Sequence, residues 1–165
     1  MILFQRLLLP ATLAALTFVS GCNRHDDEPR AIDPAALARA NAQASQQDEM
    51  IRSQVSEGSV LADGVKTAMA EFNANRGYFP PDNESAGLAA AASISGKYVS
   101  SVDLGAKPGT ITVTYSNSAP HKANPSLAGK TLLFEPQTRP SSIEWHCKSP
   151  NLKQKWCASS CECKG

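Results

Sequence analysis

Residues 50–77, MIRSQVSEGSVLADGVKTAMAEFNANRG, decide the fold because their apolar side chains recur at helical spacing. This amphipathic helix needs a partner surface to cover its apolar face. Gly58 and Gly64 each weaken it by about 1 kcal/mol relative to alanine, so tertiary packing must hold it. The apolar residues of one face are Ile51, Val55, Leu61, Val65, Met69 and Phe72, and the charged residues of the other are Arg52, Glu57, Asp63, Lys66 and Glu71.

The boundaries of this helix can be predicted from capping residues. Asp33-Pro34 supplies a carboxylate for the first free N–H groups and a residue suited to the first helical position. Residues 35–49, AALARANAQASQQDE, have high helix propensity but little apolar area, so they can be helical without packing on anything. Asn75 and Gly77 are typical stop residues. We therefore predict a helix over about 34–75, roughly 63 Å long at 1.5 Å per residue.

The second half of the chain alternates between apolar and polar residues in short segments. Glycine, proline and asparagine clusters separate these segments, which is typical of neighbouring antiparallel strands. A helix followed by strands in series predicts an α+β fold, with the long N-terminal helix packed on a four-stranded antiparallel sheet. The sheet and a C-terminal disulfide region should occupy about residues 96–163. The predicted strands are residues 98–104, 110–115, 130–135 and 142–146.

The chain starts with a segment typical of export. Leu7 to Val19 is an apolar run of 13 residues, which is too short to span a bilayer and has the length of a signal peptide core. Val19-Ser20-Gly21-Cys22 resembles the bacterial lipoprotein signal box, which predicts a signal peptide over 1–21 and an acylated Cys22 as membrane anchor. Residues 22–33 then form a polar tether. Position 23 is Asn rather than the Asp associated in some bacteria with inner-membrane retention, which favours the outer membrane. The alternative to a lipid anchor is a secretory signal with an incidental cysteine.

The charge balance of the remaining chain excludes some partners. Removing residues 1–21 leaves 15 basic and 15 acidic side chains, because Arg6 is the only charge removed. Zero net charge argues against a general affinity for nucleic acid or an anionic membrane surface. Residues 34–165 are long enough for one domain with a modest core. Export implies an oxidising compartment, so paired cysteines are expected to form disulfides.

Several segments resemble one family, the type IV pilins, in order and with similar spacing. The resemblance implies a ladle-shaped α+β fold at the cell envelope and roles in adhesion, pilus assembly or DNA uptake. It spans roughly residues 50–161. The matching segments are RSQVSE (52–57), GVKTA (64–68), AEF (70–72), GKYVSSV (96–102), IEWHC (143–147) and KWCASSC (155–161).

The first fifty residues differ from the pilin pattern. Pilins start with a short basic leader and an apolar segment that forms the filament core, whereas here a lipoprotein-like signal and the polar residues 35–49 occupy this place. Filament cores are held together by apolar area removed from water. We therefore expect a lipid-anchored, pilin-like envelope protein that acts by binding or adhesion and does not polymerise as a standard pilin. The alternative is a minor or accessory subunit of a type IV pilus.

The four C-terminal cysteines allow three pairings. Positions similar to those of pilins imply that Cys147 pairs with Cys161, which leaves Cys157 with Cys163. Pairing Cys161 with Cys163 would need a cramped ring across one residue. The alternatives are a four-cysteine zinc site, whose C-x9-C-x3-C-x-C spacing is unusual, and a thiol redox enzyme, which lacks a C-x-x-C motif.

The C-terminal tail is locally basic and is the candidate binding patch. It predicts contact with an anionic partner such as DNA or a polysaccharide, and the alternative is a solvated loop. Trp145 is interpreted as core packing, whereas Trp156 is left open between packing and an exposed stacking surface. No nucleophile has a recognisable catalytic context, so we predict no enzyme activity, metal, cofactor or small-molecule substrate. The patch residues are Lys148, Lys153, Lys155, Trp156 and Lys164, and the three histidines, interpreted as surface residues, are His25, His121 and His146.

Overall fold

The first element is a 43-residue helix, α1 (Pro34–Arg76), in the computed structural model, which describes residues 33–107 and 109–165. The predicted signal segment and Cys22 lie outside these described residues. The helix ends one residue later than predicted. Gly77 adopts a φ of 79° and donates its N–H to the carbonyl of Asn73 at 2.8 Å, which is the left-handed stop that favours glycine.

The two parts of α1 have different surroundings. All residues from 34 to 47 are exposed, which confirms that this polar segment is helical without an apolar partner. From Ile51 onward, one face of the helix is covered by the sheet. The buried residues are Ile51, Gln54, Val55, Gly58, Ala62, Val65 and Met69.

The sheet has five strands rather than the four predicted. The first four are antiparallel neighbours in chain order, as expected. The prediction missed the fifth, a two-residue strand parallel to the fourth, because two residues are too few to show a period of two. The strands are β1 (Val99–Asp103), β2 (Ile111–Tyr115), β3 (Thr131–Arg139), β4 (Ser142–Ser149) and β5 (Glu162–Cys163).

The helix meets the sheet most closely at Gly58. A side-chain Cβ at this position would overlap the hydroxyl oxygen of Tyr115 and lie 2.9 Å from Val113 Cγ1. Tyr115 is buried and donates its hydroxyl to the carbonyl of Val55 at 2.7 Å. Burial raises the pKa of this phenol, and the nearby Glu57 carboxylate adds to the effect. Glycine at position 58 therefore allows the contact between α1 and β2.

Two charged residues do not lie on the solvent face to which the sequence pattern assigned them. Glu57 accepts the backbone N–H groups of Lys97 at 2.6 Å and Tyr98 at 2.8 Å, just before β1. Lys66 places its ammonium 4.0 Å from the ring centroid of Phe134 in β3. Long side chains can cover apolar surface with their stems, which helical periodicity alone does not reveal.

The connection between α1 and β1 is fixed by one buried amide. Asn83 is 6% exposed and donates its side-chain amide to the carbonyls of Ala89 at 3.1 Å and Val102 at 3.0 Å. Its amide oxygen accepts the N–H of Leu104 at 2.8 Å. These bonds hold the connection against the outer strand of the sheet.

No helix within the described residues combines the length and hydropathy that a membrane crossing requires.

Candidate functional site

The C-terminal loop docks on α1 through Asp48. One carboxylate oxygen accepts the ammonium of Lys155 at 2.7 Å, and the other accepts the indole N–H of Trp156 at 2.8 Å. These bonds hold the pKa of Asp48 below its usual range, the Lys155 bond having the larger effect. Arg52, one helical turn later, donates Nε and Nη2 to the carbonyl of Lys155 at 3.2 Å and 3.0 Å. The loop is therefore held at both its backbone and its side chains.

Gln154 holds the docked loop in shape from within. Its amide nitrogen donates to the carbonyl of Cys161 at 2.9 Å, and its amide oxygen accepts the N–H of Cys163 at 2.9 Å. Residues Gln154–Trp156 form a single 3-10 turn. A backbone turn tied by one side chain at two points can present neighbouring side chains in a fixed direction.

Trp156 does not offer the exposed stacking surface that the sequence left open. It is only 5% exposed, because its N–H finds a carboxylate on α1 and its rings complete the core. Lys153 lies over the ring, with its ammonium 5.1 Å from the ring centroid. The expectation that Trp156 belongs to an exposed binding patch is therefore wrong. Its side chain positions the loop from inside the protein.

The lysines of the candidate patch line different cavities. Lys148 and Lys164 line one of about 200 Å³ beside β4 and β5, whereas Lys155 lines another together with Arg52. Lys148 also forms an ion pair with Glu135 at 2.6 Å. The free positive charge of the region is therefore smaller than the sequence suggests.

Glu135 is the centre of a small charged group on the sheet. Its second oxygen accepts the ammonium of Lys107 at 2.6 Å. Hydrogen bonds from Lys107 and then Lys148 lower the pKa of this carboxyl, so it stays ionised well into the acid range. One carboxylate thus partly neutralises two lysines.

The C-terminal cysteines form two disulfides. Cys147 bonds to Cys161 and Cys157 to Cys163, with Cα atoms 4.6 Å and 6.6 Å apart, which is the pairing implied by the resemblance. All four thiols are used in these bonds and are not available as zinc ligands. Within residues 33–107 and 109–165, no group of three His, Cys, Asp or Glu side chains could hold a metal ion.

The histidines do not come together with a nucleophile in the described part of the chain. The His121 ring nitrogen Nδ1 lies 3.0 Å from the carbonyl of Gly96, and His146 is exposed on β4. His25 lies outside the described residues.

Asp48 and Arg52 are the site residues that sequence reasoning missed. Asp48 belongs to the segment that was expected to pack on nothing, and Arg52 was assigned to the solvent face. Both stand at the point where the apolar face of α1 begins, and this transition is the only signal that could have indicated a contact. Their loop partners lie more than a hundred residues away in sequence.

Comparison with known proteins gives consistent similarities. Residues 51–162 match the family described as pilin, a bacterial filament protein. Two similar proteins are the type IV major pilin protein PilE of Neisseria gonorrhoeae and a fimbrial protein of Neisseria meningitidis serogroup A, each 39% identical over 104 residues. The aligned region covers 63% of this chain but 59% and 58% of these relatives, which is less than two thirds of their length. The fimbrial protein EcpC of Eikenella corrodens is 39% identical over 117 residues, which cover 70% of this chain and 72% of that protein.

Proposed function

Because this chain belongs to the pilin family of bacterial filament proteins, we propose that it is a cell-envelope protein that acts by binding rather than catalysis. The long helix α1 would present the sheet and its disulfide-bonded loop as a binding head. The main support is the exposed, polar first part of α1. This feature favours display of a single head over burial in a filament core.

Residues 34–47 have little apolar area to remove from water. Leu37 is the one large apolar side chain among them and is 51% exposed. Helices pack into a filament core by burying extensive apolar surface. Each Å² of apolar surface removed from water stabilises such packing by about 25 cal/mol. This segment therefore suits a solvated stalk better than a core element.

Lipid attachment at Cys22 is the anchor in this proposal. Its support is the sequence Val19-Ser20-Gly21-Cys22, which follows an apolar run and precedes a charged tether. Two or more acyl chains hold a protein at a bilayer far better than one. Asn23 makes the outer membrane the favoured location.

Metabolic labelling with a fatty-acid analogue tests the anchor. We expect the wild-type protein to incorporate the label and to fractionate with membranes, and Cys22→Ala to lose both. Ser20→Ala is the matched control, because it keeps a small residue before the cysteine and should stay labelled. An unlabelled wild-type protein would reject the lipid anchor, as would a Cys22→Ala variant that stays labelled.

A second candidate function is that of a minor or accessory subunit of a type IV pilus. The names of the similar proteins, major pilin and fimbrial protein, favour it. In this case α1 would dock on pilin subunits. Enrichment of the protein in sheared, purified pilus fractions is the expected result for this candidate, whereas recovery only in detergent-extracted membranes would reject it.

Contact with DNA or an anionic polysaccharide through the basic tail is a more specific form of the proposed binding role. Its support is the exposure of Lys153 and Lys164, while Lys148 and Lys155 are already paired with carboxylates. Binding of this kind would weaken steeply with salt concentration. A salt-insensitive interaction with such a polymer would rule out this use of the lysines.

A further inference from the structure

A groove lies between the last turns of α1 and the hairpin formed by β3 and β4. Its volume is about 550 Å³, within the range of small-ligand sites. Ala70 and Ala74 of the helix form part of its apolar lining, and Trp145 of β4 lines it as well. Neither the disulfide loop nor the basic patch residues line this groove.

The two tryptophans of the chain differ in how their N–H groups are used. Trp156 is buried and bonded to Asp48. Trp145 is partly buried and makes no side-chain hydrogen bond within the described part of the chain. Because no fully buried polar side-chain atom there lacks a partner, the Trp145 N–H is not fully buried. The groove is therefore lined in part by an aromatic side chain whose N–H is not used within the described residues.

The other polar side chains of the groove are also uncommitted. Among the described residues, the amide of Asn73 and the hydroxyls of Thr138, Ser141 and Ser142 form no side-chain hydrogen bonds. Protein polar groups that lack intramolecular partners bond to water, which a ligand with its own hydroxyls can replace. The groove thus combines an apolar surface with several available donors and acceptors.

The charge of the groove is small. Arg139 is its one charged lining residue, and its Nε and Nη2 both donate to a Glu144 oxygen, at 3.1 Å and 2.9 Å. This pair largely cancels its own charge and leaves little attraction for an anion. The groove therefore differs in character from the lysine-rich tail.

We infer that this groove binds a neutral saccharide. A pyranose ring has one face of C–H groups, which suits the aromatic and apolar side chains that line the groove, and an edge of hydroxyls, which suits its amide and hydroxyl groups. A flat apolar ligand would leave the polar groups without partners, and an anionic sugar would gain little from the paired Arg139. The inference assigns a ligand class to the binding role proposed above and rests on it.

The indole N–H resonances of the two tryptophans give a test with an internal control. The probes are methyl glycosides of glucose, galactose, mannose and N-acetylglucosamine, added to ¹⁵N-labelled full-length protein in a detergent without a sugar headgroup. At least one of them should shift the Trp145 indole resonance saturably and leave the Trp156 resonance in place. Ligands of this size bind weakly, so we expect millimolar dissociation constants.

Variants separate this groove from other binding surfaces. Trp145→Ala should weaken binding about tenfold. Trp145→Phe keeps an aromatic ring for packing and should lose less affinity. It replaces Trp145→Ala in the binding test if the alanine variant does not fold. Ser159→Ala, which changes an exposed residue of the disulfide loop, should bind like the wild type.

Three results would overturn the inference. The first is that no neutral glycoside shifts the Trp145 resonance, and the second is that only glucuronic or N-acetylneuraminic acid shifts it. The third is that the resonance shifts with protein concentration in the absence of sugar, which would mean that a second copy covers the groove. The titration needs neither a membrane nor a pilus. A loss of lipid labelling at Cys22 and a loss of sugar binding are therefore separate results.

Discussion

Asn83 fixes the connection between α1 and β1 through three hydrogen bonds to backbone groups. Two of its partners, Val102 and Leu104, are buried, so losing these bonds would remove a hydrogen-bond partner from backbone groups inside the protein. A single polar side chain thus determines where the connection lies on the outer strand.

Replacing Asn83 should therefore destabilise the protein more than replacing a similar exposed residue. We expect Asn83→Ala to lower the free energy of unfolding by about 1–3 kcal/mol. Asn75→Ala removes an exposed side-chain bond in the last turn of α1 and should change it by less than about 0.5 kcal/mol. Denaturant unfolding measures both variants, and equal costs would contradict the role of Asn83.

Asp48 predicts a pH dependence of loop docking. Its pKa is lowered in the folded protein by bonds from Lys155 and Trp156, so its contribution to stability is fully present above the ordinary value of 3.8 and is lost as the pH falls through the lowered pKa. We expect the stability advantage of the wild type over Asp48→Asn to shrink as the pH falls below about 4. Unfolding curves over this range measure it, and a constant advantage would show that the charge of Asp48 is unimportant.

At the level of elements, α1 approaches β2 closely at Gly58 but is open to solvent at Gly64. The two glycines share one helix, so they have the same intrinsic cost relative to alanine. They differ in what an added methyl group would meet. At Gly58 it would overlap Tyr115, whereas at Gly64 it would meet no described atom within 4 Å apart from the adjoining helix backbone.

Alanine at these two positions should have opposite effects on stability. Gly64→Ala should raise the free energy of unfolding by up to about 1 kcal/mol through helix propensity. Gly58→Ala should lower it by about 1–3 kcal/mol, because the new methyl group pushes the helix from the sheet. Thermal unfolding of both variants tests the pair. Equal stabilisation by both would mean that α1 can shift away from Tyr115 at no cost.

The elements could be predicted from the sequence where the pattern is long. Helix propensity and capping predicted the extent of α1, and period-two alternation predicted β1 to β4, although β3 and β4 continue to Arg139 and Ser149, beyond their predicted ends at 135 and 146. The remaining details depend on contacts between residues far apart in sequence. The Asp48–Trp156 hydrogen bond spans 108 residues, and β5 has only two residues, so no local pattern indicates either of them.

For the molecule as a whole, the sequence indicated the cysteines and lysines of the candidate site but neither its helix residues, Asp48 and Arg52, nor its arrangement. The disulfide pairs agree with those implied by the pilin resemblance, whereas the basic residues divide between separate cavities and partly neutralise acidic ones. The groove at Trp145 did not emerge from the sequence. Its members come from α1 and from a hairpin about seventy residues later, and only the fold brings them together.

The two disulfides should contribute unequally to the stability of the whole domain. Their sequence separations are 14 and 6 residues, and chain-entropy arguments give about 3 kcal/mol for the longer loop and about 2 kcal/mol for the shorter. The double variant Cys147→Ala/Cys161→Ala should therefore unfold at lower denaturant concentration than Cys157→Ala/Cys163→Ala. The opposite order would indicate that loop closure in the unfolded chain does not dominate their effect.

The order of the cysteines along the chain has a consequence for resistance to proteolysis. Cys157 lies between Cys147 and Cys161, while Cys163 lies beyond them, so the two bridged segments overlap. A protease that cuts any one peptide bond between Cys147 and Cys163 would leave both pieces joined through sulfur. The tail can thus be nicked once without being shed.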